Sequence, residues 1–269
     1  MERLIDSTEL RKIQMEILHH VDAFCRQKGI RYFLCGGTLI GAVRHHGYIP
    51  WDDDIDIMLL REDYERFIET YLQDDKSDYK LHYFRKEKDF PYPFVKIDDS
   101  RTVLSENVEI RANDMGVNID VFPIDVVPED KELQKKLYGK FSFYMALINL
   151  KNIIPTRTRS WYKNLMIVLS RLILWMIPMR ALVRRLEDNA IRYRDSTSKY
   201  CGIALWGYGM REINLRENWT EAIDMKFEDT MLPVPVGYDN YLTCVYGDYM
   251  QLPPEEKRVT HHAFTAYWK

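Results

Sequence analysis

The chain has 269 residues, enough for one large domain or two small ones and for a full hydrophobic core. Its 38 Lys and Arg stand against 41 Asp and Glu, a net charge of −3, so a generally basic nucleic-acid binder is excluded and any phosphate recognition must be local. The four cysteines (Cys25, Cys35, Cys201, Cys244) include no C-x-x-C pair and no zinc-ligand spacing, and the first residues lack the apolar run of a signal peptide, so a reduced, cytoplasmic chain is expected.

Residues 8–28 carry Leu10, Ile13, Ile17, Val21 and Phe24 at helical spacing and stop at Gly29, a natural C-cap, which predicts an amphipathic helix. Ile30–Cys35 reads as a strand, Gly36-Gly37 as the turn that ends it, and Thr38–His45 as a short helix. After the turn at Gly47-Tyr48-Ile49-Pro50, Asp54–Leu59 alternates acidic or polar with apolar residues, the mark of a strand with two different faces. A helix from Glu62 to about Leu72 follows, with Tyr64, Phe67, Ile68 and Tyr71 as its apolar stripe. Further strands are predicted at Lys80–Phe84, Phe94–Ile97, Thr102–Ser105 and, with the best alternation, Val117–Phe122.

Residues 131–195 read as almost wholly helical, with breaks at Pro155 and Pro178, and the tail from Trp206 returns to aromatic sequence punctuated by Pro and Gly. The expected class is α+β. The expected organisation is a mixed α and β core over residues 1–129, a basic and apolar helical insertion over 130–200 and a C-terminal segment over 201–269 that returns to the core. The longest apolar stretch, Leu165 to Pro178, is broken by Ser170 and Arg171 and is shorter than the ~20 residues a spanning helix needs.

Residues two apart in a strand point to the same side, so Asp54 and Asp56 project together while Ile55, Ile57 and Leu59 face the other way. Two adjacent carboxylates repel unless a hard, oxygen-preferring cation lies between them, and Mg²⁺ or Mn²⁺ is the natural occupant. The competing view is that Asp52-Asp53-Asp54 is only a solvated acidic turn; the in-phase Asp56 and the glycine turn shortly before the run argue against it. Gly36, Gly37 and Thr38, between a strand and a helix, suit close backbone approach to a phosphate. Asp120 alternates out of an otherwise apolar strand and is preferred to Asp125 as the third carboxylate, either on the metal or as a base, because a strand-end Asp such as Asp125 commonly caps a turn.

The string GGTLIGAVRHHGYIPWDDDIDI resembles the signature of the LicD family, bacterial phosphocholine transferases related to the fukutin-type glycan phosphotransferases, and YGDYMQLPPEEKRVTHH resembles its closing block. The resemblance implies a nucleotidyltransferase-like mixed sheet with packed helices. It assigns Gly36, Gly37 and Thr38 to the glycine motif, Asp54 and Asp56 to the metal pair and Asp120 to the third carboxylate. It also adds Arg44 and His45, with Lys96 and Arg101 from KIDDSRT, as donor-phosphate contacts. The implied reaction is Mg²⁺-dependent transfer of phosphocholine from CDP-choline to a sugar of a lipid-linked cell-surface glycan or teichoic acid precursor, releasing CMP. The cysteine-rich zinc motif of the fukutin-type relatives is absent, which places the chain with the bacterial branch and predicts no zinc.

Aromatic faces hold a choline ammonium well, and Trp206, Tyr208, Trp219, Tyr246 and Tyr249 are cage candidates, although rings are more often core. His261 and His262 are candidate donor or acceptor contacts, or structural hydrogen-bonding groups. Between Arg157 and Arg185, basic residues interleave with Leu, Ile, Met and Trp, which suits either peripheral contact with the inner face of an anionic membrane or an amphipathic helix pair covering the sheet. Two other functions share these features: a conventional nucleotidyltransferase and an inactive membrane-associated scaffold.

Overall fold

The computed structural model describes residues 3–73, 77–106, 115–153, 155, 159–205, 208–260 and 264–269. A short strand β1 (Arg3–Ile5) leads into helix α1 (Ser7–Lys28). The Asp6 carboxylate accepts from the Glu9 N–H at 2.8 Å to open α1, and Gly29 closes it at φ 61°, a left-handed position that costs glycine nothing. The predicted stripe from Leu10 to Phe24 is buried.

Strand β2 (Phe33–Leu34) is shorter than the predicted Ile30–Cys35. Helix α2 (Gly36–Ile40) starts at the glycine pair itself rather than after it, and a π-helical turn, Gly41–His45, completes the predicted helix. There follow β3 (Asp56–Leu60), α3 (Arg61–Tyr71), β4 (Tyr79–His82), β5 (Val95–Asp99), β6 (Thr102–Glu106) and β7 (Asn118–Val127). The helical stretch is α4 (Lys131–Asn152), α5 (Trp161–Leu174) and α6 (Met179–Ala190). The tail supplies β8 (Tyr200–Gly202), β9 (Asn214–Leu215), the hairpin β10 (Ala222–Phe227) and β11 (Thr230–Pro235), helix α7 (Tyr238–Tyr246) and β12 (Phe264–Trp268).

The central sheet runs β2-β3-β7-β5-β4; β3 and β7 are parallel and the other neighbours antiparallel. Strand β7 runs on past the predicted Phe122, through Pro123, to pair with β8. Proline is normally confined to edges because it lacks an N–H. Here the Asp120 N–H bonds to the Ile55 carbonyl on the β3 side, so position 123 faces the opposite neighbour. On that side pairing with β5 ends at Val121 and pairing with β8 begins at Asp125, so the missing donor falls in a gap. A three-stranded sheet β1-β12-β6 brings both ends of the chain together.

Helices α1 and α3 pack on the central sheet, and the main core draws on residues from Ile5 to Ala266. One buried ion pair stitches the sheet to α3. Arg61 is bidentate on Asp125, at 2.7 and 2.8 Å, and both side chains are buried. Glu187 on α6 joins the same network, accepting from the Tyr83 hydroxyl and pairing with Arg85. Asp125 therefore anchors structure. Arg61→Met leaves that carboxylate buried without its main partner and is expected to cost about 3–5 kcal/mol in urea denaturation, while Arg61→Met/Asp125→Leu recovers most of the loss. Equal stability of the single variant and the parent would refute this account.

Candidate active site

Strand register explains how the carboxylates meet. Asp56 and Asp120 are paired positions on the parallel strands β3 and β7, and Lys96 is the partner of Asp120 across β5, so the three form one row. Asp54 precedes β3 rather than lying in it, yet it lines the same cavity as Asp56, as expected from the two-residue spacing. The cavity holds about 420 Å³ where β3 begins, beside the α2 turn.

The glycine pair is there because carboxylates press against it. A Cβ on Gly37 would lie 2.6 Å from Asp52 Oδ2, and one on Gly36 would lie 3.3 Å from Asp56 Oδ2. Gly36 also sits at φ 51°, which disfavours any side chain. The Thr38 hydroxyl accepts from the Asp56 N–H at 2.9 Å, and the Cys35 N–H donates to the Asp56 carbonyl at 3.0 Å. Thr38 thus locks strand to helix rather than lying on the cavity wall.

The acidic loop is clamped from outside. Arg11 of α1 donates to the carbonyls of Pro50 and Asp52 at 2.8 and 2.7 Å, and Gln14 donates to that of Asp53 at 2.8 Å. These bonds fix the course of the loop's backbone. Asp52, Asp53 and Asp54 bring oxygens within 4.8 Å of one another. Burial pushes Asp52 up to about 7, reinforced by the charge of Asp54, and burial with the charges of Asp54, Asp120 and Asp52 pushes Asp56 well above the ordinary range.

Two acidic residues of the cavity escaped the sequence reading. Asp52 was weighed only as part of a solvated turn; its signal was adjacency to the Asp54–Asp56 pair. Glu212, from the 3₁₀ turn Gly209–Glu212, lies more than 150 residues from the acidic loop, and no local pattern marks it. Burial raises it to about 7, with the Tyr208 N–H and the Tyr241 hydroxyl acting in the opposite direction.

Several expected phosphate contacts are engaged elsewhere. Lys96 donates to Asp120 at 2.5 Å and to Asn118 at 3.1 Å and lies over the Tyr92 and Phe94 rings. Arg101 is bidentate on Asp99 beyond the β5 end, away from the cavity. Arg44 donates to the carbonyls of Tyr249 and Gln251 and to His45 Nε2, fastening the C-terminal loop to the π turn, while His45 packs edge-on against Trp51, which does line the cavity. A pattern of basic residues cannot tell a ligand contact from an internal tie.

Of the aromatic candidates, Tyr208 and Tyr246 line the cavity, joined by Tyr241. Trp219 is core, packed on Phe33 and Tyr241, and Tyr249 is buried with its hydroxyl on Asp239 at 2.6 Å. Trp206, His261 and His262 lie outside the described residues.

A glycine turn closing on carboxylates from adjacent strands of a mixed sheet defines a nucleotidyltransferase-like site. The model of the LicD/FKTN/FKRP nucleotidyltransferase domain matches residues 29–149. The lipopolysaccharide cholinephosphotransferase LicD of Haemophilus influenzae is 30% identical over 264 residues, covering 96% of this chain and 97% of that protein. The chain belongs to the LicD family. The human ribitol 5-phosphate transferase FKRP is 44% identical over 48 residues, 18% of this chain and 10% of that protein.

The crowded carboxylates carry a pH signature. Asp52 and Asp56 bind protons more tightly in the folded chain than in the unfolded one, where they titrate near 3.8. Their contribution therefore turns unfavourable as pH rises from about 4 to about 7, and stability of the metal-free protein should fall over that window by roughly 1–3 kcal/mol after allowance for solvent screening. Melting curves at pH 5 and pH 7.5 in EDTA check this, with Asp52→Asn flattening the profile. A flat profile in the parent would contradict it.

Proposed function

We propose that the chain is a phosphotransferase acting on a glycan, moving phosphocholine or a similar phospho-alcohol from a CDP-activated donor to a sugar hydroxyl and releasing CMP. The single observation that carries this reading is end-to-end similarity to a lipopolysaccharide cholinephosphotransferase, in a chain whose cavity joins a glycine turn to crowded carboxylates. The acceptor class is a cell-surface glycan or teichoic-acid-type precursor.

The donor set fits a hard cation, since Asp54 and Asp56 offer oxygens in a half-buried cavity where their charges otherwise repel. Asp54 and Asp56 would hold Mg²⁺ or Mn²⁺, which supplies charge neutralisation at the donor phosphates. Gly36 and Gly37 leave room for those phosphates beside the α2 turn. Asp120, one strand over and bridged by Lys96, positions Asp56 and its neighbours; with an ammonium already on it, it is poorly suited to accept a proton. Asp52 lines the cavity beside Asp54 and Asp56, within reach of a substrate bound there, and is the carboxylate assigned to take the acceptor hydroxyl's proton. The hydroxyl oxygen bonds to the distal phosphorus, the bond from that phosphorus to the CMP oxygen breaks, and the proton passes to Asp52.

Chromatography of CDP-choline, Mg²⁺ and a glycan acceptor tests this directly: CMP and phosphocholine-bearing acceptor are expected. Free phosphocholine with cytidine on the acceptor would favour a conventional nucleotidyltransferase. Asp54→Asn and Asp56→Asn should each lose activity by at least ~100-fold together with Mn²⁺ binding, and Asp52→Asn should lose activity.

The acceptor is proposed to be lipid-linked and met at a membrane surface. Trp161, Met166, Leu172, Ile173, Trp175 and Met176 on and just after α5 are each 66% exposed or more. Between residues 133 and 186 the chain has eleven Lys and Arg and no Asp or Glu, although the whole chain is acidic. An apolar ridge inside a purely basic segment suits the interface of an anionic bilayer. No single helix among the described residues is long and apolar enough to cross a membrane, and α5 with the segment Met179–Tyr193 passes such a test only as a pair bent by 82°. Co-sedimentation with anionic vesicles should be strong at low salt, weaken as salt rises, and be lost in Ile173→Glu/Trp175→Glu without a change in Tm. Equal sedimentation of parent and variant would rule out this face.

A further inference from the structure

The tyrosine-lined wall of the cavity, which adjoins the glycine turn through Tyr246 and Tyr241, is built differently from its acidic mouth. Glu212 is 2% exposed, its Oε1 accepts from the Tyr208 N–H at 3.1 Å, and its Oε2 makes no well-formed hydrogen bond, although the Tyr241 hydroxyl is close enough to lower its pKa. Among the described residues no Lys or Arg offsets its charge. A buried carboxylate without a counter-charge is costly unless something supplies one. The Tyr208 and Tyr246 rings meet edge to face, with centroids 5.0 Å apart, on the same cavity wall, and Tyr241 stands beside them. Such rings present negative faces to a cation.

We infer that Glu212, Tyr208 and Tyr246 form the subsite for a cationic, quaternary-ammonium head group of the donor and so select it over donors with neutral polyol heads. This rests on the phosphotransfer reading above for the identity of the donor, although the subsite itself stands on its own geometry. A trimethylammonium has no N–H to donate, so a neutral hydrogen-bonding pocket gains nothing from it. Ring faces and an unneutralised carboxylate do. A ribitol or glycerol head gives the charged form no partner and leaves Glu212 to take up a proton, so the electrostatic gain falls to the cationic head alone. Tyr208 is 56% exposed, which places it at the rim where the head group would enter. The phosphates then lie toward Gly36 and Asp56, and the two ends of the donor meet opposite charges.

The test compares kcat/KM for CDP-choline and CDP-glycerol in the Mg²⁺-loaded protein. The parent should favour CDP-choline, and in Glu212→Gln the ratio should fall about tenfold or more, chiefly through KM for CDP-choline. Tyr208→Leu should lower the ratio about threefold and Tyr208→Phe should restore it, since the ring rather than the hydroxyl faces the cation. Loss of rate with both donors alike, or no change in the ratio, would overturn the subsite. If Glu212→Gln does not fold, judged by circular dichroism, the Tyr208 pair on its exposed turn decides alone. If the parent turns over no CDP-alcohol, the phosphotransfer reading fails by itself. Calorimetric titration of phosphocholine into the parent and Tyr208→Leu then still decides the subsite: about threefold weaker binding in the variant supports it, and equal or absent binding overturns it.

Discussion

Mutual repulsion among Asp52, Asp54 and Asp56 is the constraint around which the first sixty residues are arranged. Left to itself the acidic loop would turn its side chains into water and relieve the strain. Arg11 and Gln14 prevent this by holding the loop's carbonyls from α1, and the Thr38 hydroxyl holds the Asp56 backbone. Gly36 and Gly37 lack the Cβ atoms that would push Asp56 and Asp52 away. Each of these features keeps like charges together, and on the proposed function that crowding prepares a place for a positive group.

The net charge of −3 conceals a separation of charge along the chain. The cavity concentrates carboxylates, whereas α4 to α6 form a segment with no acidic residue from 133 to 186. That segment is fastened to the core through Glu187, whose partners Tyr83 and Arg85 come from the first half of the chain. Basic face and acidic cavity are therefore held in a fixed relation by a buried network. On the proposed function this relation matters, because a lipid-linked acceptor must reach the cavity from the surface to which its lipid is confined.

The helices and the central strands were legible because their information is local. The α1 stripe, its glycine cap and the alternation of Ile55, Ile57 and Leu59 each report a neighbour within four residues. The glycine turn and the Asp54–Asp56 pair were legible for the same reason, and strand register then brought Asp120 opposite Asp56. Partners within the fold were not legible. Lys96, Arg101 and Arg44 are basic residues near familiar motifs, and the fold spends them on Asp120, Asp99 and two loop carbonyls. Pro123 stopped the predicted strand because a gap between β5 and β8 is a tertiary fact. Glu212 was invisible because it meets Cys35 and Tyr241 only after 3₁₀ turns and α7 have closed over the sheet.

A cavity with two electrostatic ends constrains more than affinity. A donor that carries phosphates at one end of its head group and a fixed cation at the other is oriented if the cation meets Glu212 and the tyrosine rings, since reversal would set phosphate against a buried carboxylate and ammonium against whatever cation Asp54 and Asp56 hold. Orientation of that kind fixes which phosphorus faces the acceptor before any contact with the nucleotide is made. On the proposed reading, the choice between transferring the head-group phosphate and transferring the nucleotide then follows from where Glu212 sits relative to Asp56. The same nucleotidyltransferase-like sheet could serve either reaction. Glu212, contributed to the cavity wall by the C-terminal segment rather than by the motif-bearing core, is what would commit it to one of them.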